Sequence, residues 1–186
     1  MKQRNVIILY GPPGVGKLTV AKEFIEIIQN FKLFHVHLLA DLLSSLFKTG
    51  TKEFADSFTD LWLFLFKKVL LTNIDGLVVT LIYGVQTLEG KKDDEFFSQI
   101  IKVAEEVDAN IFFIKLECSD IELNKRIQSD SRKQFKKITD IDLLKSLRKK
   151  YKIDQKIPIT KSIVINTTKL TPIKTAHLIK EKLNIK

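Results

Sequence analysis

Apolar runs of four to seven residues alternate along the chain with longer segments in which apolar residues recur every three or four positions. The first pattern is typical of buried strands and the second of amphipathic helices. Strands are predicted at residues 6–10, 34–37, 77–83, 111–116 and 162–165. Helices are predicted between them and after the last one. A chain in which strands and helices alternate is expected to form a parallel sheet with helices on both faces.

Helix patterns and helix start signals support this order of elements. The helix after the first strand has helical spacing that continues as far as Phe31. The helix at 53–72 carries an apolar stripe that is predicted to face the core, made of Phe54, Phe58, Leu61, Trp62, Leu65 and Val69. Ser119 begins a capping box, and Thr171 followed by Pro172 predicts the start of the closing helix.

Residues 11–19 follow the first strand and begin the first helix, with the spacing G-x-x-x-x-G-K. Glycines in such a stretch let backbone N–H groups turn toward an anion, the lysine reaches the β- and γ-phosphates, and the helix N-terminus favours negative charge. The alternative is a turn that only joins a strand to a helix. The spacing and context predict a phosphate-binding loop (P-loop). Its candidate nucleotide-binding residues are Gly11, Pro12, Pro13, Gly14, Val15, Gly16, Lys17, Leu18 and Thr19.

One position departs from the P-loop pattern. The residue after the lysine is usually Ser or Thr, whose hydroxyl binds Mg²⁺, but here it is Leu18. Thr19 lies about 100° further around the helix and is interpreted as an α-phosphate contact. Phosphate binding is expected to survive, because it depends on backbone amides and Lys17. A magnesium ion would depend on water, nucleotide oxygens or another protein ligand.

Length and composition restrict the other possibilities. A chain of 186 residues with 45% apolar residues is expected to form a single domain over residues 1–186. The most lipid-like stretch, 61–71, is far shorter than the roughly 20 residues that a membrane span needs. The single Cys118 cannot form an internal disulfide, which fits a cytoplasmic location. The net charge of +9 is concentrated late in the chain, where residues 125–156 carry 12 basic and 4 acidic side chains (+8).

With these features the chain resembles small P-loop kinases of the nucleoside-monophosphate, shikimate and chloramphenicol phosphotransferase kind. It is most similar to ATPase-like members that share the G-P-P-G-V-G-K-L-T loop and a basic stretch like residues 131–140. The resemblance implies an α/β fold: a three-layer αβα P-loop nucleotide-kinase-like fold with a five-stranded parallel sheet. It also implies a basic lid at about residues 128–157.

The resemblance implies roles for several side chains outside the loop. Lid arginines would close on the triphosphate, and Arg126, Arg132 and Arg148 stand where these are expected. A carboxylate after the second strand would orient or deprotonate the acceptor hydroxyl, and Asp41 is the candidate base. The alternative is that Asp41 is an exposed acid on the first turn of a helix. An acid closing the third strand and a nucleobase pocket are not recognisable.

The leading interpretation is a kinase that transfers the γ-phosphate of ATP to a hydroxyl of a small molecule, with Lys17, Asp41, Arg126 and Arg132 as catalytic candidates. Its cofactors would be ATP and Mg²⁺. One alternative is a nucleotide-binding module with little turnover, motivated by Leu18. Another is a polynucleotide or RNA-end kinase, suggested by the +8 segment and disfavoured by its few aromatic residues. The sequence does not indicate the acceptor, the oligomeric state or the choice between ATP and GTP.

Overall fold

Five parallel strands form one sheet in the computed structural model, which describes residues 3–84, 93–129 and 138–185. The strands are β1 (Arg4–Tyr10), β2 (Phe31–Phe34), β3 (Gly76–Leu81), β4 (Ala109–Glu117) and β5 (Ser162–Asn166). The helices are α1 (Lys17–Glu26), α2 (Val36–Leu46), α3 (Lys52–Leu70), α4 (Asp93–Glu106), α5 (Asp120–Ile127), α6 (Ile141–Lys150) and α7 (Pro172–Lys182).

The strand order is β2-β3-β1-β4-β5, which places β1 in the middle of the sheet. Its last residue, Tyr10, lies opposite Leu81 on β3 and Lys115 on β4. The chain leaves β1 at the point where successive crossovers go to opposite sides of the sheet. In open parallel sheets this switch point, beyond the carboxyl ends of the strands, is where ligands bind.

Two apolar clusters fill the space between the sheet and its helices, one on each face. Residues of α2, α3 and α4 pack on one face, and residues of α1 and α7 pack on the other. The strands β1 and β3 are covered on both faces, and every residue of β3 is buried. The structure is therefore the three-layer α/β arrangement that the alternation of patterns predicts.

The predicted boundaries of the second strand were wrong. The strand is β2 at residues 31–34, and residues 36–37 already belong to α2. Phe31, which continued the helical spacing of α1, is in β2 because its ring packs edge-on against Phe24 at 5.8 Å between centroids. The neighbouring Gly76 provides the space, since a Cβ there would overlap the Phe31 ring.

The predicted core stripe of α3 was also partly wrong. Leu61 and Leu65 are 40% and 38% exposed, whereas the fully buried residues are Trp62, Phe66 and Leu70. The indole of Trp62 stacks on Phe66 at 4.9 Å between ring centroids. This large aromatic contact fixes the rotation of the helix and turns the two leucines outward.

The predicted helix starts are confirmed. Ser119 Oγ accepts a hydrogen bond from the Glu122 N–H at the start of α5, and Thr171 Oγ1 accepts one from the Lys174 N–H at the start of α7. Side-chain caps of this kind satisfy N–H groups that have no partner inside the helix. Among the described residues, no helix combines the length and the apolar content that crossing a bilayer requires.

Two carboxylates stand at the start of α4, beside the end of β3. Asp94 Oδ1 accepts a 2.8 Å hydrogen bond from the Tyr83 hydroxyl. Asp93 is partly buried, and its Oδ2 atom has no hydrogen-bond partner among the described residues. Burial raises the pKa of Asp93 to about 6, although the Gly84 backbone N–H opposes this shift. Burial thus makes the protonated form of Asp93 more favourable in the folded protein than in the unfolded chain.

We expect Asp93→Asn to remove a pH-dependent loss of stability. The carboxyl pKa rises from about 3.9 in the unfolded chain to about 6 in the folded protein, so stability falls as pH rises through 6. The variant should match wild type near pH 4 and exceed it at pH 8 by on the order of 1 kcal/mol, allowing for solvent screening. Urea unfolding at both pH values measures this. The exposed Glu95→Gln is the matched control, and equal pH profiles for wild type and Asp93→Asn would contradict the prediction.

Candidate functional site

The loop after β1 adopts a conformation that its glycines make possible. Gly11, Gly14 and Gly16 have φ values of 140°, 91° and 103°, which side chains with a Cβ rarely adopt. The loop also lies close to its neighbours. A Cβ at Gly14 would stand 2.7 Å from the side chain of Ile127, and a Cβ at Gly11 would overlap the carbonyl of Leu116. The curled loop is therefore held against β4 and α5.

The N-terminus of α1 is suited to an anion. Gly16 is its N-cap residue, so no side chain caps the first turn, and that turn contains no acidic residue. The first N–H groups of a helix have no partner inside it, and the helix dipole adds positive potential at that end. Loop and helix start together offer backbone donors to a phosphate group.

The Lys17 side chain folds back over the loop. Its Nζ donates hydrogen bonds to the carbonyl oxygens of Gly11 at 2.7 Å and Pro12 at 2.9 Å. These contacts place the ammonium group at the mouth of the loop. A phosphate oxygen in the loop could replace the carbonyl oxygens as acceptor, and the charge-assisted bond would then be stronger.

Arg126, at the end of α5, connects three parts of the site. Its Nη1 donates 3.0 Å hydrogen bonds to the Val15 carbonyl oxygen and to Thr167 Oγ1, and its Nη2 donates to the Thr167 carbonyl oxygen at 2.8 Å. Its Nε pairs with Glu122 Oε1 at 2.8 Å. The planar guanidinium thus joins the phosphate-binding loop to the turn after β5.

The turn after β5 is itself firmly held. Thr167 is 2% exposed, its N–H donates to the Glu117 carbonyl oxygen at 2.7 Å, and its hydroxyl donates to the same atom. The sequence analysis missed Thr167 and Glu122. Two signals could have found them: the position of Thr167 directly after a strand's carboxyl end, and the i,i+4 spacing of Glu122 and Arg126.

A cleft of about 490 Å³ opens beside the loop. Its walls come from the loop, α1, α5, the turn after β5 and the start of α7. The lining residues are Gly14, Val15, Gly16, Leu18, Thr19, Val20, Lys22, Glu122, Arg126, Ser129, Thr167, Leu170, Pro172 and Thr175. The volume and the mixed apolar and polar walls suit a ligand the size of a nucleoside. No single stretch of the sequence indicates this cleft, because its walls come from five separate segments.

The described residues contain no cluster of side chains that would hold a metal ion by itself. Leu18 lines the cleft and has no oxygen to offer, and no group of three His, Cys, Asp or Glu residues in the described ranges could hold a metal ion. The end of β3, where an acid was expected, is followed by Tyr83, whose hydroxyl is bound to Asp94. Burial raises the pKa of Tyr83, so this hydroxyl remains protonated.

The other predicted site residues are spread around the molecule. Asp41 is exposed on α2. Arg132 lies outside the described residues. Arg148 is on α6, where it pairs with Asp120 at 2.6 Å and Asp154 at 2.7 Å. In this conformation these two ion pairs occupy the Arg148 guanidinium, so it is not free to bind a phosphate group.

Part of the predicted lid packs on the core. Leu144, on the same helix α6, is buried in the apolar cluster between the sheet and its helices. The lid at 128–157 stays a prediction.

The sheet order, the curled glycine loop and the helix start behind it define a P-loop nucleoside-triphosphate-binding fold. The sequence model of the ATPase family associated with various cellular activities (AAA) matches residues 7–116, and the chain belongs to this family. No curated protein sequence matches the chain significantly.

Solved structures with a similar fold include kinases. An APS kinase, CysC, from Mycobacterium tuberculosis, in complex with AMPPNP and APS, has a TM-score of 0.62 at 14% identity, over 99% of each chain. A sugar kinase from Janibacter sp. HTCC2649 has a TM-score of 0.64 at 12% identity, over 98% of this chain and 95% of that one. A tunicamycin resistance protein from Deinococcus radiodurans has a TM-score of 0.65 at 16% identity, over 99% and 98%.

We expect Lys17→Ala to weaken ATP binding at least about tenfold, because it removes a charge-assisted bond to the phosphates. Isothermal titration with ATP measures the change. Lys102→Ala, an exposed lysine on α4, is the matched control and should bind like wild type. If ATP binds equally well to the Lys17 variant and wild type, the loop is not the phosphate site.

Proposed function

We propose that the protein is a kinase that transfers the γ-phosphate of a nucleoside triphosphate, ATP in the first instance, to a hydroxyl of a small molecule. One observation carries the proposal. The N-terminus of α1, whose first residue Lys17 binds the carbonyl oxygen of Gly11 in the loop, borders a nucleoside-sized cleft whose wall includes Arg126.

The nucleotide would occupy the site in a defined direction. Its base and ribose would fill the cleft between α1 and the turn after β5, with Thr19 near the α-phosphate. The β- and γ-phosphates would lie in the loop, where Lys17 exchanges the carbonyl oxygens of Gly11 and Pro12 for phosphate oxygens. Arg126 would contribute positive charge from the wall. Catalysis of phosphoryl transfer rests mainly on such positioning and charge stabilisation.

The acceptor would bind on the side of the site that α2 forms. This helix begins directly after β2, whose carboxyl end lies on the same edge of the sheet as the loop. Asp41 is the acid available there to orient or take the hydroxyl proton. The sequence has no arginine between Arg4 and Arg126, so α2 and α3 offer no bidentate partner for a phosphate group. An acceptor without its own phosphate therefore fits best.

A second candidate is a nucleotide-binding module with little turnover. The specific observation in its favour is Leu18, together with the lack of a metal-binding group of side chains in the described ranges. Such a protein would bind the triphosphate through the same loop and would transfer phosphate slowly or not at all.

The decisive experiment offers the protein [γ-³²P]ATP with pooled hydroxyl-bearing metabolites and, separately, with 5′-hydroxyl oligonucleotides. A labelled small molecule that Lys17→Ala does not produce supports the proposed kinase. Label on the oligonucleotide would instead identify a polynucleotide kinase. ATP binding without any labelled product would favour the module.

We expect Asp41→Asn to lower turnover of the identified acceptor by roughly 10²–10⁴-fold with little change in ATP affinity, because the amide cannot accept the hydroxyl proton. Steady-state kinetics gives the turnover, and titration gives the affinity. Glu53→Gln replaces an exposed acid on the neighbouring helix and serves as the control. Turnover like wild type in the Asp41 variant would make Asp41 a surface acid without a catalytic role.

We expect ATP to bind measurably in EDTA, because the loop amides and Lys17 do not depend on a protein-bound metal. Leu18→Ser restores a hydroxyl at the position that usually binds Mg²⁺, so it should make ATP affinity more dependent on Mg²⁺. Titration of ATP at several Mg²⁺ concentrations measures both effects, with Leu18→Ala as control. Strict dependence on Mg²⁺ in wild type, unaltered in Leu18→Ser, would contradict the prediction.

A further inference from the structure

The outward face of α3 exposes apolar side chains where a solvated helix would carry polar ones. Leu61, Phe64, Leu65 and Leu71 are 40%, 56%, 38% and 57% exposed. The spacing of Leu61 from Phe64 and Leu65 places these three on one side of the helix, and Leu71 directly follows the last helical residue. The opposite side is buried in the core through Trp62. The outer side of the helix thus carries exposed apolar side chains beside the charged Asp60 and Lys68, a mixture that is typical of a surface covered by a partner.

The neighbouring helix α2 extends this surface. Leu38, Leu42 and Leu46, spaced four residues apart, are 66%, 56% and 68% exposed. Helices α2 and α3 pack against each other and bury their inner sides in the same core cluster. Lys67 binds Glu106 of α4 at 2.7 Å, so α4 lies on that flank of α3. Leu61 and Leu65 are on the other flank, toward α2, and the two leucine stripes therefore line one groove.

The size of this surface is that of a stable protein interface. Summed over the exposed parts of the seven side chains, it offers on the order of 700 Å² per copy, more than the roughly 300–600 Å² patch of an ordinary monomer. A standard interface buries about 800 Å² on each partner. Polar side chains at the rim would supply the remainder.

The charges at the rim are arranged for a second copy of the same chain. Asp60 and Lys68 are both exposed and stand four residues on either side of Phe64. Lys68 Nζ lies 5.6 Å from the centre of the Phe64 ring. In an antiparallel pair of α3 helices with a two-fold axis at Phe64, Asp60 of each copy meets Lys68 of the other. A surface with one negative and one positive end is complementary to itself only in this orientation.

We propose that the protein forms a two-fold symmetric homodimer through the groove between α2 and α3, with the two α3 helices antiparallel and the Phe64 rings at the axis. Leu61 of one copy packs against Phe64 and Leu65 of the other. Leu38, Leu42 and Leu46 of α2 close the apolar interface at its sides. The nucleotide cleft is lined by other elements, α1, α5 and α7, so each copy retains its own loop and cleft. Asp41 lies between Leu38 and Leu42 on α2, so the proposed acceptor side of the site would border the interface.

Sedimentation velocity of the full chain from 1 to 100 μM tests the proposal. Wild type should sediment as a dimer at the upper concentrations, and Phe64→Glu, which buries two charges at the axis, should remain monomeric throughout. Ile121→Glu changes a residue that is 85% exposed on α5 and should dimerise like wild type. Thermal unfolding of each variant checks that the fold is intact. A monomeric wild type at 100 μM overturns the proposal, and binding of that monomer to phosphatidylcholine vesicles would assign the groove to a lipid surface instead.

Charge exchange tests the orientation separately. Asp60→Lys and Lys68→Asp should each raise the dimer dissociation constant by roughly threefold to tenfold, because each places like charges opposite one another. The double variant should restore the wild-type value. A dimer that Phe64→Glu leaves intact overturns the proposed face, and a double variant that is weaker than both single variants overturns the antiparallel orientation.

Discussion

The close approach of the loop backbone to β4 and α5 is the constraint on which the site depends. Gly11 lies against the Leu116 carbonyl and Gly14 against the Ile127 side chain, with no room for a Cβ at either place. Two features thus fix the curl that turns the N–H groups toward an anion: the packing of the loop on β4 and α5, and the φ values of the glycines. Arg126 completes the arrangement from the side, since it binds the Val15 carbonyl oxygen. A larger residue at Gly14 would displace α5, and the wall of the cleft would move with it.

The same wall depends on the turn after β5. Thr167 is bound to the Glu117 carbonyl oxygen and to Arg126, so the ends of β4 and β5 and the end of α5 form one hydrogen-bonded unit. On the opposite face of the sheet, Tyr10 connects the end of β1 to the start of β5 and to the segment before it. Its hydroxyl donates to Ser162 Oγ at 2.6 Å and accepts from the Ile157 N–H at 3.3 Å. The chain between α6 and β5 is therefore tied to the strand that carries the loop.

Local signals in the sequence were enough for the order of elements and for the loop. The glycine spacing, the apolar runs of four of the five strands and the caps at Ser119 and Thr171 act over a few residues, and these are found where they were predicted. The failures concern choices made by distant contacts. Phe31 belongs to a strand because Gly76 leaves room for its ring, and Leu61 faces outward because Trp62 takes the core position. The cleft is built from five segments that are distant in the sequence, and no local sequence pattern predicts that they come together.

Trp62 gives the molecule an optical property. It is the one tryptophan of the sequence, and its indole is fully buried between the rings of Phe34, Phe66 and Phe96. An indole without contact to water emits at short wavelength, and this emission shifts to the red when water reaches the ring. The intrinsic fluorescence of the protein therefore reports on the layer formed by α2, α3 and α4. The loop and the cleft lie on the other side of the sheet from this chromophore, so unfolding of one layer can be followed apart from events at the nucleotide site.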